Sequence, residues 1–399
     1  MWVRLQFDIG TADLAAGLAG CLLSMPPLHR TGQVLGVEWL SQAWQPCLSV
    51  RTAVDLVFQA QCWSAGQEVL LSALTVPDMP RIVTHHGLVP VPVDLVPNGC
   101  LPALDSLERA CTDRTRAIIV AHLFGMRMDM QPIVDLARRR GLFVIEDCAQ
   151  AFEVDAYSGH PDSDAVLFSF GPIKTATALG GGLLRVKDLE LANRIAGIQA
   201  AYPIQSRWSV AARLLRYSVL KGLSHPWPYA WITRGCQMAR VNQDDFVSGA
   251  ARNFPPDRLF ERLRQQPAMP LVRLLLRRLA TYDRQRIADR RVRGEALRAR
   301  LHPSIALSRD GAVDNTYWVF PILVDDPVAT VQRLRQAGFD ATCRTRLAIV
   351  EPPPTRPDLD PVHVRRLLEH LVFLPWHARL PQRALDRMVD LLAATHHPS

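Results

Sequence analysis

Between Arg51 and Val186, short apolar runs alternate with amphipathic stretches, and no other feature limits the fold of this chain so tightly. "QEVLLSAL", "VPVPVDL", "TRAIIVAHL", "LFVIED", "AVLFSF" and "GGLLRV" read as strands. "AVDLVFQAQCWSAG", "RIVTHHGL", "LPALDSLERACTD" and "MQPIVDLARRRG" lie among them with helical spacing, the first ending at Gly66 and the last at Gly141. The series predicts an α/β fold with a mostly parallel sheet covered by helices on both faces. Ligands of such sheets gather beyond the carboxyl ends of the strands. Asp147 ends "FVIED", and Ser169 and Lys174 follow "VLFSF", so all three are expected at that edge.

Length and charge narrow the rest. The 399 residues suffice for two domains with sizeable cores. The net charge of +8 rests on arginines spread through the C-terminal half. There Leu274, Leu275, Leu279 and Tyr282 form an apolar stripe opposite them, with Asp283, Asp289 and Glu295 interleaved. That pattern predicts one long helix, from about Leu271 to Leu301, with a solvated arginine face rather than a nucleic-acid surface. No RNA- or DNA-binding motif is found. The eight cysteines show no CxxC spacing, and neither His85–His86 nor His396–His397 has evident ligand partners, so no metal site is expected. The cysteines fit a reducing cytoplasm. "LAAGLAGCLLSM" (Leu14 to Met25) follows Asp8 and Asp13, where a signal peptide needs positive charge, and reads as a buried helix. No segment approaches a membrane-spanning length.

Beyond about Ala200 the alternation stops. The expected division is a large α/β domain with an N-terminal helical segment over 1–203, a basic and aromatic insertion over 204–264, and an α+β domain over 265–399. In the last, "TYWVFPILV" and "FDATCR" read as strands, and "PVATVQRLRQAG" and "PQRALDRMVDLLAA" as helices. Trp208, Tyr217, Trp227, Tyr229 and Trp231 mix with Arg207, Arg213, Arg216 and Lys221. Such an element suits a membrane surface or a lipid-like substrate, or it packs against the domain or across a dimer contact.

"FSFGPIKTATALGGG" (Phe168 to Gly182) carries Lys174 as its single charge. The amine is either an ordinary surface lysine or one placed for chemistry. An acid and Gln150 after one strand, with Ser169 and an amine after the next, form the set that pyridoxal 5'-phosphate needs. Its aldehyde condenses with a lysine amine. Its ring nitrogen needs a carboxylate, and its phosphate needs N–H groups at a helix start with a nearby hydroxyl.

Five blocks in order resemble the DegT/DnrJ/EryC1/StrS (sugar) aminotransferases, a branch of the fold-type-I pyridoxal-phosphate enzymes. They are "RTAVDLVFQA", "VPVDLVPNGCLPALDSLERACTDRTRAIIVAHLFG", "DMQPIVDLARRRGLFVIEDCAQAF", "DAVLFSFGPIKTATALGGGLL" and "LVFLPWHARLPQRALDRMVDLL". The resemblance implies that Lys174 forms a Schiff base with the cofactor and then moves the substrate proton, and that Asp147 pairs with the ring nitrogen. It places Gln150 by the phenolic oxygen, Ala149 against the ring, and Ser169 at the phosphate with the backbone of Arg51 and Thr52. Lysine at 174, where a dehydrating branch has histidine, favours amino transfer. An amino donor such as glutamate and a keto group on a sugar or secondary metabolite are then expected, with a site formed in a homodimer.

The bland readings are an N-cap for Thr52, a strand-end hydroxyl for Ser169 and a turn hydrogen bond for His122. The chain departs from the family at Arg51, where glycine is usual, and at Val76, where an aromatic usually stacks on the ring. The family's Asn-Tyr-Arg-Met block is also missing; "ARNFPPDRLFERL" (Ala251 to Leu263) stands near its place. Another reaction on the same cofactor, elimination or decarboxylation, and a non-catalytic binding partner stay open.

Overall fold

The computed structural model describes residues 2–4, 7–23, 44–153, 156–223, 258–377 and 380–393. Among the described residues, nine strands occur in chain order up to Val186: β1 (Trp44–Cys47), β2 (Glu68–Ser72), β3 (Leu74–Thr75), β4 (Val89–Val93), β5 (Thr115–Ala121), β6 (Met126–Met128), β7 (Phe143–Asp147), β8 (Ala165–Ser169) and β9 (Gly182–Val186). Seven of them form one sheet in the order β1-β9-β8-β7-β5-β2-β4. From β4 to β8 the neighbours are parallel, while β9 and β1 close the sheet antiparallel. The expected mostly parallel α/β architecture is therefore the observed one.

The register sets the site edge. Asp147 lies opposite Ala121 and Leu167, Ser169 opposite Gly182, and Gly182 opposite Cys47. The ends of β5, β7, β8 and β1 thus share one rim. From Cys47 the chain turns within two residues into the helix Val50–Gln61. Val54, Leu56, Val57 and Phe58 of that helix are buried against the sheet, each contributing about 1.5–3 kcal/mol by leaving water. Gly182 permits the close approach. A Cβ there would stand 3.0–3.1 Å from the backbone of Phe168, Ser49 and Val50.

The C-terminal unit has its own core. Strands Phe320–Leu323 and Leu371–Leu374 pair antiparallel. Phe320, Ile322, Phe339, Met388 and Leu392 are buried together there. "FDATCR" forms only isolated bridges, because its backbone is divided between two partners: Trp2 O accepts from the Asp340 N–H at 2.9 Å, and Thr342 exchanges hydrogen bonds with Phe373 at 3.1 and 2.7 Å.

The expected long arginine helix is two helices, Met269–Ala280 and Gln285–Arg298. Asp283 starts the second by accepting from the Gln285 N–H at 3.0 Å, and Tyr282 is buried at the break. Several of its arginines point inward rather than into solvent. Arg278 binds Asp13 at 2.7 Å, so the N-terminal helix Thr11–Leu22 is pinned by charge as well as packing. The helix Arg207–Leu223 packs beside it through Val210, Leu214 and Tyr217. Residues 224–234 of the basic aromatic segment, and His396–His397, lie outside the described residues. Among the described residues, no helix is long and apolar enough to cross a membrane.

Candidate active site

Lys174 sits in the loop between β8 and β9, and four elements hold that loop. The Ala176 N–H donates to Asp8 at 2.9 Å. Arg278 donates to the Thr177 carbonyl at 3.2 Å, and Arg290 to the Thr175 hydroxyl at 3.3 Å. The Trp318 indole N–H donates to the Ile173 carbonyl at 2.9 Å. The clamps have something to hold: Ala176 and Leu179, with φ of 53° and 62°, occupy left-handed backbone that costs about 1–3 kcal/mol per side-chain-bearing residue. Strain of this kind gathers where a loop must aim one group.

The aimed group is the amine. Lys174 Nζ lies 4.0 Å from the centre of the Trp318 ring. Burial lowers its pKa to about 7; Asp147 pulls the other way and Arg51 adds to the depression. Asp147 accepts the Ala149 N–H at 2.9 Å. Burial raises its carboxyl above the usual value, against the pull of that N–H and of Lys174, His122 and Arg51. Lys174, Asp147 and Arg51 therefore act on one another within one site.

The neighbouring positions divide by what they already bind. The Gln150 carbonyl accepts the Phe124 N–H at 2.8 Å, bracing a turn in which Phe124 has φ 60°. Ala149 and Val76 are half-buried against the core beneath the site. His122 lies behind: its Nε2 is 2.9 Å from Glu146, and its Nδ1 accepts the Met128 N–H at 3.3 Å. His122, Glu146 and Cys148 bring possible metal-ligand atoms within 4.8 Å of one another, but those atoms hydrogen-bond within the cluster. Of the paired histidines, His86 binds Asp55 at 2.9 Å, and Arg264 grips the same carboxylate at 3.0 and 3.1 Å.

Beside the loop opens a cavity of about 320 Å³. Ser49, Arg51, Ser169, Gly171, Gly180 and Gly181 line one side. Thr52 does not line it. Fully buried, its hydroxyl donates to the Leu263 carbonyl at 2.9 Å and lies 3.1 Å from Ser49 Oγ. Ser49 is the N-cap of the helix, accepting the Thr52 N–H at 3.2 Å, and faces the cavity. Arg51 is braced by Asp78 at 2.5 Å. Sequence reasoning passed over Ser49, although a serine just before an apolar helical run is a cap signal. Trp318 carries no local signal, and Arg213, which also lines the cavity, stood out only as part of the basic aromatic segment; the fold brings both here.

Comparison with known proteins adds the following. Residues 47–204 match the model of the DegT/DnrJ/EryC1/StrS aminotransferase family. The chain is 35% identical over 156 residues to a UDP-N-acetyl-3-dehydro-alpha-D-glucosamine 3-aminotransferase of Acidithiobacillus ferrooxidans, covering 38% of this chain and 42% of that one. It is 36% identical over 152 residues to GDP-perosamine synthase of Caulobacter vibrioides, covering 37% and 41%. The matches thus span about two fifths of the length of these relatives. The fold extends further. The aminotransferase TlmJ of Streptoalloteichus hindustanus superposes with TM-score 0.69 at 19% identity, over 99% of this chain and 98% of that one. An E. coli GDP-4-keto-6-deoxy-D-mannose-3-dehydratase gives 0.70 at 14% identity, over 98% and 99%.

Proposed function

We propose, from the premise that residues 47–204 belong to the DegT/DnrJ/EryC1/StrS aminotransferase family, that this protein is a pyridoxal-phosphate aminotransferase. The observation that carries the reading is the placement of the Lys174 amine, in the β8–β9 loop beyond the rim where Asp147 ends β7 and 4.0 Å from the Trp318 ring, where burial depresses its pKa. The donor set fits the cofactor. Lys174 would hold its aldehyde carbon, Asp147 its ring nitrogen, Gln150, Ala149 and Val76 its ring, and Ser49, Ser169 and Arg51 at a helix start its phosphate. When bound, the group supplies an electron sink for a carbanion beside the amino nitrogen.

The chain supplies the rest. Burial lowers the Lys174 pKa and so favours the neutral amine, which serves as nucleophile and then as the base that moves a proton. Asp147 provides the negative charge that keeps a facing ring nitrogen protonated. Trp318 covers the amine and limits the water that reaches it. The amino acceptor we assign is a keto sugar or a related secondary-metabolite ketone, with glutamate as donor. Curated relatives named for UDP- and GDP-linked sugars support that choice.

The chain contains three lysines, Lys174, Lys187 and Lys221, which makes the test direct. Lys187 is tied to Asp162 at 2.7 Å on the surface, and Lys221 donates to the Ile9 carbonyl. Borohydride reduction of the protein with pyridoxal phosphate should label Lys174 alone, and glutamate should then yield 2-oxoglutarate without reduction. A label at Lys187 or Lys221 instead overturns the reading. A label at Lys174 with no oxo acid from any amino donor points to elimination or decarboxylation, and no label at all to a non-catalytic binding partner.

The same reading carries a homodimer in the cytoplasm. Trp208, Leu215 and Val219 are exposed along helix 207–223 and offer a face for a second copy. Peripheral membrane contact through 207–234 is the competing assignment. Sedimentation as a monomer, with recovery on vesicles, would favour the membrane.

A further inference from the structure

The cavity beside the lysine loop has walls of two origins. Ser49, Arg51 and Ser169 lie within the family match, whereas Gln205, Arg213, Arg262 and Gln265 lie outside residues 47–204. Nothing in the matched segment therefore assigns the second wall a role.

That wall is cationic, with no counter-charge among the described residues. Helix 207–223 lays the Arg213 guanidinium directly on Gly180, where any Cβ would overlap it. Among the described residues, Arg213 has one weak hydrogen bond, 3.4 Å to the Leu179 carbonyl. Neither Arg213 nor Arg262 meets a carboxylate among the described residues, and the cavity lining contains no acid. Arg51 differs, being neutralised by Asp78. A partly desolvated guanidinium that meets no carboxylate is unfavourable, and an anion relieves it. Two guanidiniums, two amides, serine hydroxyls and a helix start are donors without acceptor-only groups, the set that suits phosphoryl oxygens. The volume of about 320 Å³ equals the share of roughly ten waters, so a phosphoryl group with its substituent fits.

We propose that Arg213, seconded by Arg262, is the charge partner of a phosphoryl group seated in this cavity. Two sources share that chemistry. If the group is the cofactor's phosphate, the inference rests on the reading above and adds to it a cation from outside the family match. If it belongs to a phosphorylated substrate, the inference stands without that cofactor.

The test uses the full chain, cofactor-free and loaded, as wild type, R213Q, R213K and R262Q. Inorganic phosphate should bind the cofactor-free wild type and lose about 10- to 100-fold in affinity in R213Q, as for one charged hydrogen-bonding group, with partial recovery in R213K. If R213Q loses affinity for pyridoxal phosphate but keeps it for pyridoxal, the source is the cofactor. If only nucleoside diphosphate binding to the loaded protein falls, the source is the substrate. R262Q, on an exposed turn of helix, gives a smaller loss in the same titration and decides the matter if R213Q does not fold. Equal phosphate affinity in all variants, or a loss shared equally by pyridoxal and its phosphate, overturns the proposal. Failure of the wild type to bind pyridoxal phosphate, with phosphate binding still dependent on Arg213, would end the cofactor reading and leave this one intact.

Discussion

Glu146 and Asp147 are neighbours on one strand, and they live in opposite environments. Alternation along β7 turns Glu146 to one face of the sheet and Asp147 to the other. Glu146 is fully buried and receives the His122 ring, the Tyr157 hydroxyl, the His160 N–H at 2.8 Å and the Ser163 hydroxyl at 2.8 Å. Despite its burial, these partners hold its pKa down to about 2. Asp147 is half-buried at the strand end, has the single N–H of Ala149 on its side chain, and is pushed upward instead. Both are carboxylates, yet one is saturated by its own protein and the other is left with capacity to spare. Unused capacity at the sheet rim is what the proposed role of Asp147 requires; saturation in the interior is what a structural role of Glu146 requires.

The largest test of this contrast is on the site face. Lys174→Met should lower amine exchange by at least about 10⁴-fold, because no other group there can condense with a carbonyl. It should also stabilise the fold at neutral pH. The lysine pKa is depressed on folding, so the unfolded chain binds more protons between about 7 and 10.5, and wild-type stability rises with pH across that window. The advantage of Met should therefore shrink from pH 7 to 10. Equal melting of both proteins throughout would place Lys174 in water.

On the opposite face the effect should fall on stability. Glu146→Ala strands four donors in the core and should cost about 3–5 kcal/mol in urea unfolding, with little change in activity per folded molecule. Its pKa is depressed from 4.5 to about 2, so its contribution is complete above pH 4.5 and vanishes as pH falls through 2. The gap between variant and wild type should close over that acid range. Asp147→Asn should do the reverse. Activity should drop about 10²- to 10³-fold, the scale of losing one preorganised charge, and stability at pH 7 should rise because a raised carboxyl is unfavourable when ionised. If both substitutions destabilise alike, the two faces are not different in kind.

These examples show how far the chain itself could be read. The rim positions of Asp147 and Ser169 were legible because each ends an apolar run, with Lys174 in the loop that follows Ser169, and a parallel sheet brings such ends to one rim. The helices and strands between Val50 and Val186 were legible for the same local reason. Thr52 was assigned through its backbone at the helix start; that its hydroxyl turns inward while Ser49 faces the cavity is set by the packing of Leu263, which no local pattern shows. The break at Tyr282 was hidden by an apolar stripe that continues across it. "FDATCR" has strand composition, yet its backbone is split between Phe373 and the chain's own N-terminus, the latter more than 330 residues away in sequence. Trp318 and Arg213 reach the lysine loop from remote segments, and no local pattern encodes such an approach.

Trp318 offers the finest adjustment of the contrast. Its ring face lies over the Lys174 nitrogen and attracts the charged form, opposing the burial that favours the neutral one. Trp318→Leu keeps an apolar cover but removes the ring quadrupole, worth about 0.5–1 kcal/mol. The amine midpoint should then fall below 7 by about 0.4–0.7 pH unit, since one unit is about 1.4 kcal/mol. Measuring the rate of Lys174 modification by an amine-selective reagent against pH in the cofactor-free protein gives that midpoint, with Lys187 as the exposed reference. A midpoint that moves upward instead would mean that the indole acts mainly by keeping water out, and that burial alone sets the amine.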